Sequence, residues 1–351
     1  MATTTELTGN FSKNYYVPFY WCKRVNLEDL KEYFTEIQNS SIHILDYGRN
    51  HNKEILTKRT KIVEWLQFVC KNLNFKNETV FKAIHLFDLY MSKVKRDSTS
   101  LGEIQLSAVA CLNLACKLEE INCNYMSFLK EHLLDDEKNQ YTYTLKDLAN
   151  KETEILRVLN YKLSSPTIYQ FNNVFMQIAI SEIIKFYTKI NAEKNNFPPL
   201  NFLIVQLINC NDIILKNYST MKESVFTDVM SSGLICFKAT ILVLSYLMGV
   251  DMSFINELIN RNIKVLIKDL EFLQRAEIIA FNFFTYLVNE NKFSLFSELR
   301  NEQETASNSK YASRKNSNEE EKEIFVEGRK FSNNSATNSV YSNSNSKTAI
   351  Y

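Results

Sequence analysis

An all-α architecture of two successive five-helix sets is what this sequence predicts, and three observations carry the prediction. Gly (6) and Pro (4) are scarce in a chain of 351 residues, too few turn formers for an all-β fold or a Gly-rich nucleotide loop. Apolar residues recur at helical spacing along the chain as far as about residue 295. Each set has an apolar third helix rich in small residues, "LGEIQLSAVACLNLACKLEEI" in the first and "SSGLICFKATILVLSYLMG" in the second. Small residues on several sides of a helix suit one packed all round by close neighbours.

Residues 1–26 begin polar and turn aromatic (Tyr15, Tyr16, Phe19, Tyr20, Trp21), forming an N-terminal extension. Asn26 is placed to cap "LEDLKEYFTEIQ", in which Leu27, Leu30, Tyr33, Phe34 and Ile37 fall at helical spacing. "NSSIHILDYGRNHN" is a connector. The first set then opens with a helix over 54–71, carrying Ile62, Trp65, Leu66 and Val69 on one face. Asn77 is expected to cap the second helix, and Ser100 with Glu103 forms a capping box for the third, 101–118. The fourth is short, near 124–134, and Thr144 with Asp147 caps the fifth, which runs to Asn160. "LSSPT" ends the pattern, because Pro166 disfavours helix in the residue before it.

The second set comprises "IYQFNNVFMQIAISEIIKFY", "NFLIVQLINCNDIILKNY", the apolar third helix, "SFINELI" and a last helix over 263–288. From Asn301 the chain turns Asn- and Ser-rich, with acids and bases balanced. So little apolar surface cannot offset chain entropy, and this tail is expected to be disordered. The expected division is therefore 1–26, 27–165, 166–295 and 296–351.

A net charge of +1 argues against a general nucleic-acid or membrane-surface binder. The opening "MATTTELTGNFSKN" has no basic region followed by an apolar core, so no signal peptide is expected there. The apolar stretch Ala239–Val250 is too short to cross a bilayer and reads as a core helix. The seven cysteines include no C-x-x-C pair and read as free buried thiols, with no metal site. Four histidines sit in no metalloprotease frame, and no phosphate-binding or nucleophile-elbow motif occurs. No enzyme activity and no cofactor is expected; the product of this chain is a surface.

That surface is expected where the first apolar helix ends in charge: "LACKLEEI" puts Lys117, Glu119 and Glu120 at the mouth of a buried element. A lysine there must reach water or a partner; the ordinary partners would be Glu119, Glu120 or Glu154. The stretch also resembles the cyclin-box signature. The resemblance runs without gaps through much of 58–171, and "KRTKIVEWL", "NETVFKAIHLFDLYMS" and "YTLKDLANKETEILRVLNYKLSSPTIYQF" match successive cyclin-box segments. Five diagnostic positions carry the residues expected in cyclins: Arg59, Asp88, Leu106, Lys117 and Glu152. The likeness is to cell-cycle cyclins of the mitotic or G1 kind, and over 167–295 it rests on helix pattern.

The resemblance implies tandem five-helix cyclin folds and a regulatory subunit of a cyclin-dependent protein kinase, in the nucleus, the cytoplasm or both. Substrate or inhibitor proteins would be further partners, with no nucleic acid and no membrane. It implies an ion pair between Arg59 and Asp88 joining the first two helices, and Leu106 filling the core. Lys117 and Glu152 would face the kinase αC helix, surrounded by Leu118, Leu156, Tyr161 and Leu163. The substrate-docking groove of many cyclins is degenerate here: Ile62, Trp65 and Gln105 are kept, but Lys58 and Lys61 replace apolar residues and Phe68 stands at the acid position. Two other classes compete with this reading. A cyclin-like scaffold without kinase activation would need no Lys117–Glu152 pair, and a two-repeat transcription-associated protein would show a basic face.

Overall fold

Ten helices make up the described part of the chain, which a computed structural model gives for residues 26–41, 53–94, 101–121, 143–189, 198–222, 224, 227–249, 252–290 and 296. The aromatic N-terminal segment, the connector before residue 53, Ser100, the expected helix near 124–134 and the tail lie outside the described residues.

Helix α1 (Leu27–Asn39) starts as its sequence dictates: the Asn26 side chain accepts from the Glu28 N–H at 3.2 Å. It buries Leu30, Phe34 and Ile37, and the Phe34 ring stands edge-on to Phe171 with centroids 5.8 Å apart. The first repeat contributes α2 (Lys53–Asn72), α3 (Asn77–Lys93), α4 (Leu101–Glu119) and α5 (Leu145–Val158). Helix α4 packs on α2, α3 and α5, and Ala108 to Cys116 are buried without a break. Helix α3 is buried as completely, from Thr79 to Ser92, because it lies between α4 and the first helix of the second repeat. The first repeat thus has two central helices rather than the single one its small residues advertise.

The second repeat contributes α6 (Ile168–Lys189), α7 (Leu200–Thr220), α8 (Val229–Met248), α9 (Ser253–Leu266) and α10 (Leu270–Asn289). Helix α8 packs on α6, α7 and α10. A Cβ at Gly233 would meet Phe171 Cβ at 2.8 Å and Asn172 N at 2.9 Å, so α6 and α8 approach this closely only through glycine. Inside this crossing a buried polar chain replaces apolar packing. Thr240 Oγ1 donates to Asn211 Oδ1 at 3.2 Å, Asn211 Nδ2 donates to Asn172 Oδ1 at 2.8 Å, and Asn172 Nδ2 donates to the Gly233 carbonyl at 3.2 Å.

Three expectations need correction. Helix α8 is 20 residues, long and apolar enough to cross a membrane by length and composition, but two thirds of its apolar window is buried against its neighbours. The helix expected over 263–288 is two: α9 continues to Leu266 and α10 begins at Leu270. Ile267 is extended, and the Asp269 carboxylate accepts from the Phe272 N–H at 3.0 Å, capping a new helix. Asn77 does not cap α3; it lies inside the first turn, with Lys76 at the cap position. The Thr144–Asp147 capping box forms on α5 as its spacing predicts.

The cysteines among the described residues are free and buried. Burial pushes the Cys70 thiol up to about 12, which keeps it protonated and unreactive.

Candidate functional site

The last turn of α4 is where the charges gather, and each has a different destination. Glu120 turns towards α3: its Oε1 accepts from the Lys76 N–H at 2.9 Å and from Thr79 Oγ1 at 2.5 Å. It therefore supplies, from just beyond the end of α4, the N-terminal cap that Asn77 leaves unmade. Asn77 Nδ2 instead donates to Asp212 Oδ1 of α7 at 3.1 Å. Glu119 lies 4.0 Å from the Lys82 ammonium, which donates to the Ser165 carbonyl at 3.0 Å. Glu154 is taken by α3 and its own helix, accepting from Tyr90 Oη and from Lys151 Nζ, each at 2.6 Å.

Lys117 is left with Glu152. Its Nζ donates to Glu152 Oε2 at 2.7 Å. The lysine is 57% exposed and the glutamate 13% exposed, so the pair lies at the surface with the acid set deeper. Of the residues that the resemblance groups with this pair, Leu118 and Tyr161 are exposed, the tyrosine at 67%. Leu156 and Leu163 are half-buried against the core. Tyr161 is held out by backbone geometry: Asn160 and Tyr161 both take left-handed φ values, 51° and 58°, and the Tyr161 N–H returns to the Leu156 carbonyl at 2.8 Å. Chemically the Lys117–Glu152 pair offers ammonium donors and carboxylate acceptors at the surface, and Leu118 and Tyr161 leave apolar area uncovered.

Arg59 on α2 and Asp88 on α3 form a two-pronged pair: Nε to Oδ1 and Nη2 to Oδ2, both 2.7 Å. Arg59 is 2% exposed. Its remaining nitrogen, Nη1, donates to the Ser219 carbonyl of α7 at 2.9 Å. The same face of α2 sends Gln67 Nε2 to Ser219 Oγ at 2.9 Å and Thr60 Oγ1 to the Thr220 carbonyl at 3.1 Å. Arg59 thus ties three helices from both repeats, a role no local sequence signal announces. Leu106 is half-buried, packed against the core rather than enclosed in it.

Between the repeats, His85 Nε2 lies 3.1 Å from Ser165 Oγ. Burial, with the Lys82 ammonium beside it, lowers the His85 pKa to about 3, so the ring is neutral.

Residues 29–164 match the family model described as the cyclin N-terminal domain. This stretch of the chain belongs to the cyclin family. Among curated cyclins it is 28% identical to G2/mitotic-specific cyclin-2 of Medicago sativa over 184 residues, 49% of this chain and 52% of that protein. It is 34% identical to cyclin-A2 of Xenopus laevis over 122 residues, 34% of this chain and 27% of that protein. It is 30% identical to cyclin-A2 of Homo sapiens over 146 residues, 41% of this chain and 31% of that protein. The matched stretches span about half, or less, of these relatives' own length.

The positions that the resemblance assigns to a docking groove, on α2 and at the start of α4, are spread through the depth of the fold. Ile62 is buried, Trp65 and Gln105 are half-buried, and Lys61 is exposed. Phe68 is 59% exposed, an aromatic ring at the position where the resemblance calls for an acid.

Proposed function

We propose that this chain is a regulatory subunit that binds and activates a cyclin-dependent Ser/Thr protein kinase in the control of cell division. One observation carries the reading: the Lys117–Glu152 pair, bonded at 2.7 Å at the rim of a buried helix, in a chain that also exposes Leu118 and Tyr161, which the resemblance groups with it. A helix of the partner laid across this patch meets donors and acceptors for its polar groups and apolar area for its side chains. Such a kinase needs a β3 lysine paired with a glutamate of αC. A subunit that binds only the αC-in form shifts the population towards that form. The chain then contributes no group to phosphoryl transfer; it selects a conformation. Its place of action is the nucleus, the cytoplasm or both.

Substrate selection through α2 is weak in this reading. With Phe68 at the acid position and Lys61 exposed on the same helix, an arginine-bearing R-x-L peptide meets an aromatic ring where the resemblance calls for a carboxylate, and an ammonium two turns away. Titration of the purified chain with such a peptide should give little binding, and ordinary micromolar-or-better affinity would refute this part.

The activator reading is tested by co-purification with a panel of cyclin-dependent kinases, with histone phosphorylation as the readout. Wild type should bind and activate at least one, and the Lys117→Ala, Glu152→Ala double variant should do neither. Binding unchanged in the variant rejects this surface; no binding by wild type favours a scaffold role.

A further inference from the structure

The acid of the surface pair is held from beneath by a residue that the sequence reading passed over. Asn113 lies one turn before Lys117 on the same helix, and it is buried, 6% exposed. Its Nδ2 donates to Glu152 Oε1, while Lys117 Nζ donates to Oε2 of the same carboxylate. Both oxygens of Glu152 are therefore engaged within the chain, one from below and one from the side. The orientation of the Asn113 amide follows from chemistry: an ionised carboxylate only accepts, so the amide must turn its NH2 towards it. The competing acids are already committed, Glu120 to the start of α3 and Glu154 to Tyr90 and Lys151. An asparagine otherwise alone in a run of buried apolar residues has a definite task here.

We propose that Asn113 is the positioning residue of this surface: it fixes the Glu152 carboxylate in the rotamer that meets Lys117, so the pair is assembled before a kinase arrives. The inference rests on the kinase-binding reading above. Glu152 keeps a second lone pair on each oxygen, and Lys117 keeps two of its three N–H donors. The pair can thus address a partner without breaking its internal bonds. Without Asn113 the glutamate would populate several rotamers in the free protein and would have to be ordered on binding, at a cost in affinity.

The test is a double-mutant cycle on the full chain with a purified cyclin-dependent kinase, read by calorimetric titration. Asn113→Leu keeps the site apolar and filled; Asn113→Ala removes the amide without adding volume and serves if the larger side chain disturbs the fold. In the wild-type background either variant should weaken kinase binding about 3–10-fold, the range for ordering one long side chain. In a Glu152→Ala background the same change should alter affinity less than twofold, because nothing remains to be positioned. A merely structural asparagine would instead cost the same in both backgrounds, and that result overturns the inference. So would wild-type affinity in both Asn113 variants while Glu152→Ala still weakens binding, an outcome that leaves the kinase-binding surface standing. If Glu152→Ala itself binds as tightly as wild type, the surface assignment fails and the inference fails with it.

Discussion

Helix α4 closes on Lys117, Leu118 and Glu119, whereas α8, its counterpart in the second repeat, closes on Leu247, Met248 and Gly249. Their middles are alike: each is apolar, each carries small residues, and each packs on three neighbours. Their ends solve the same problem in opposite ways. Gly249 takes φ +59° and terminates α8 locally, with nothing near the place where a side chain would be. The end of α4 is distributed over the fold instead. Glu120 caps α3, Glu119 approaches Lys82, and Lys117 meets Glu152 of α5. The polar groups differ in the same sense. In the second repeat Asn172, Asn211 and Thr240 satisfy one another inside the core. In the first, Asn113 spends its donor on an acid that reaches the surface. A buried helix that ends in charge rather than glycine leaves polar groups at the surface, where the proposed partner would meet them.

The largest effect should come from breaking the buried ion pair whose arginine also reaches the second repeat. Arg59→Ala strands the Asp88 carboxylate among buried groups and removes the bond to Ser219 of α7. It should cost about 3–5 kcal/mol in chemical denaturation, and a loss under about 1 kcal/mol would show that the pair does not bind the repeats together.

At the end of α4 the same kind of change should behave differently. Lys117→Ala removes an exposed ammonium, so stability should move by no more than about 1 kcal/mol. Its effect should appear in kinase affinity, as a loss of about 2–5 kcal/mol. A fall in melting temperature as large as that of Arg59→Ala would place this pair among the structural bonds and remove the contrast.

A third measurement concerns the seam between repeats. His85 is neutral in the folded chain, its pKa lowered to about 3, while the unfolded chain protonates near pH 6.5. Between these values the unfolded state binds the extra proton. The His85 contribution is therefore fully present above about pH 6.5 and is lost as pH falls towards 3, by about 1.4 kcal/mol per pH unit. His85→Gln should flatten the stability profile between pH 6 and 4, and an unchanged slope would sink the assignment.

The smallest effect belongs to the end of α8. Gly249→Ala forces a side chain into left-handed backbone without any clash, at a cost of about 1–2 kcal/mol. Kinase binding should stay as in wild type; a loss there would mean that the two helix ends are not functionally distinct.

Local signals were legible in the sequence wherever local chemistry decides the outcome. The capping box of Thr144 and Asp147 and the cap of Asn26 needed only a few adjacent residues, and both form as spacing predicts. Asn77 failed as a cap because a distant acid outcompeted it, and Glu120 stands 44 positions away from the N–H it accepts. The break at 267–269 escaped notice because the residues on either side keep helical spacing, and only the Asp269 side chain marks the restart.

By itself the sequence determined most of the described helices, the two apolar third helices and the likeness of the first repeat to cyclins, because periodicity and a short ordered signature survive without knowledge of neighbours. It also singled out Lys117, Glu152, Arg59 and Asp88. Only the tertiary structure decided which partner each charge takes. Lys117 had three other acids to choose from, Glu119, Glu120 and Glu154, and helix packing assigned those acids elsewhere. Arg59 was legible as half of a pair, but not as the residue that also holds α7. Charge pairing is set by which side chains the folded backbone brings within about 3 Å, and sequence distance carries almost no information about that.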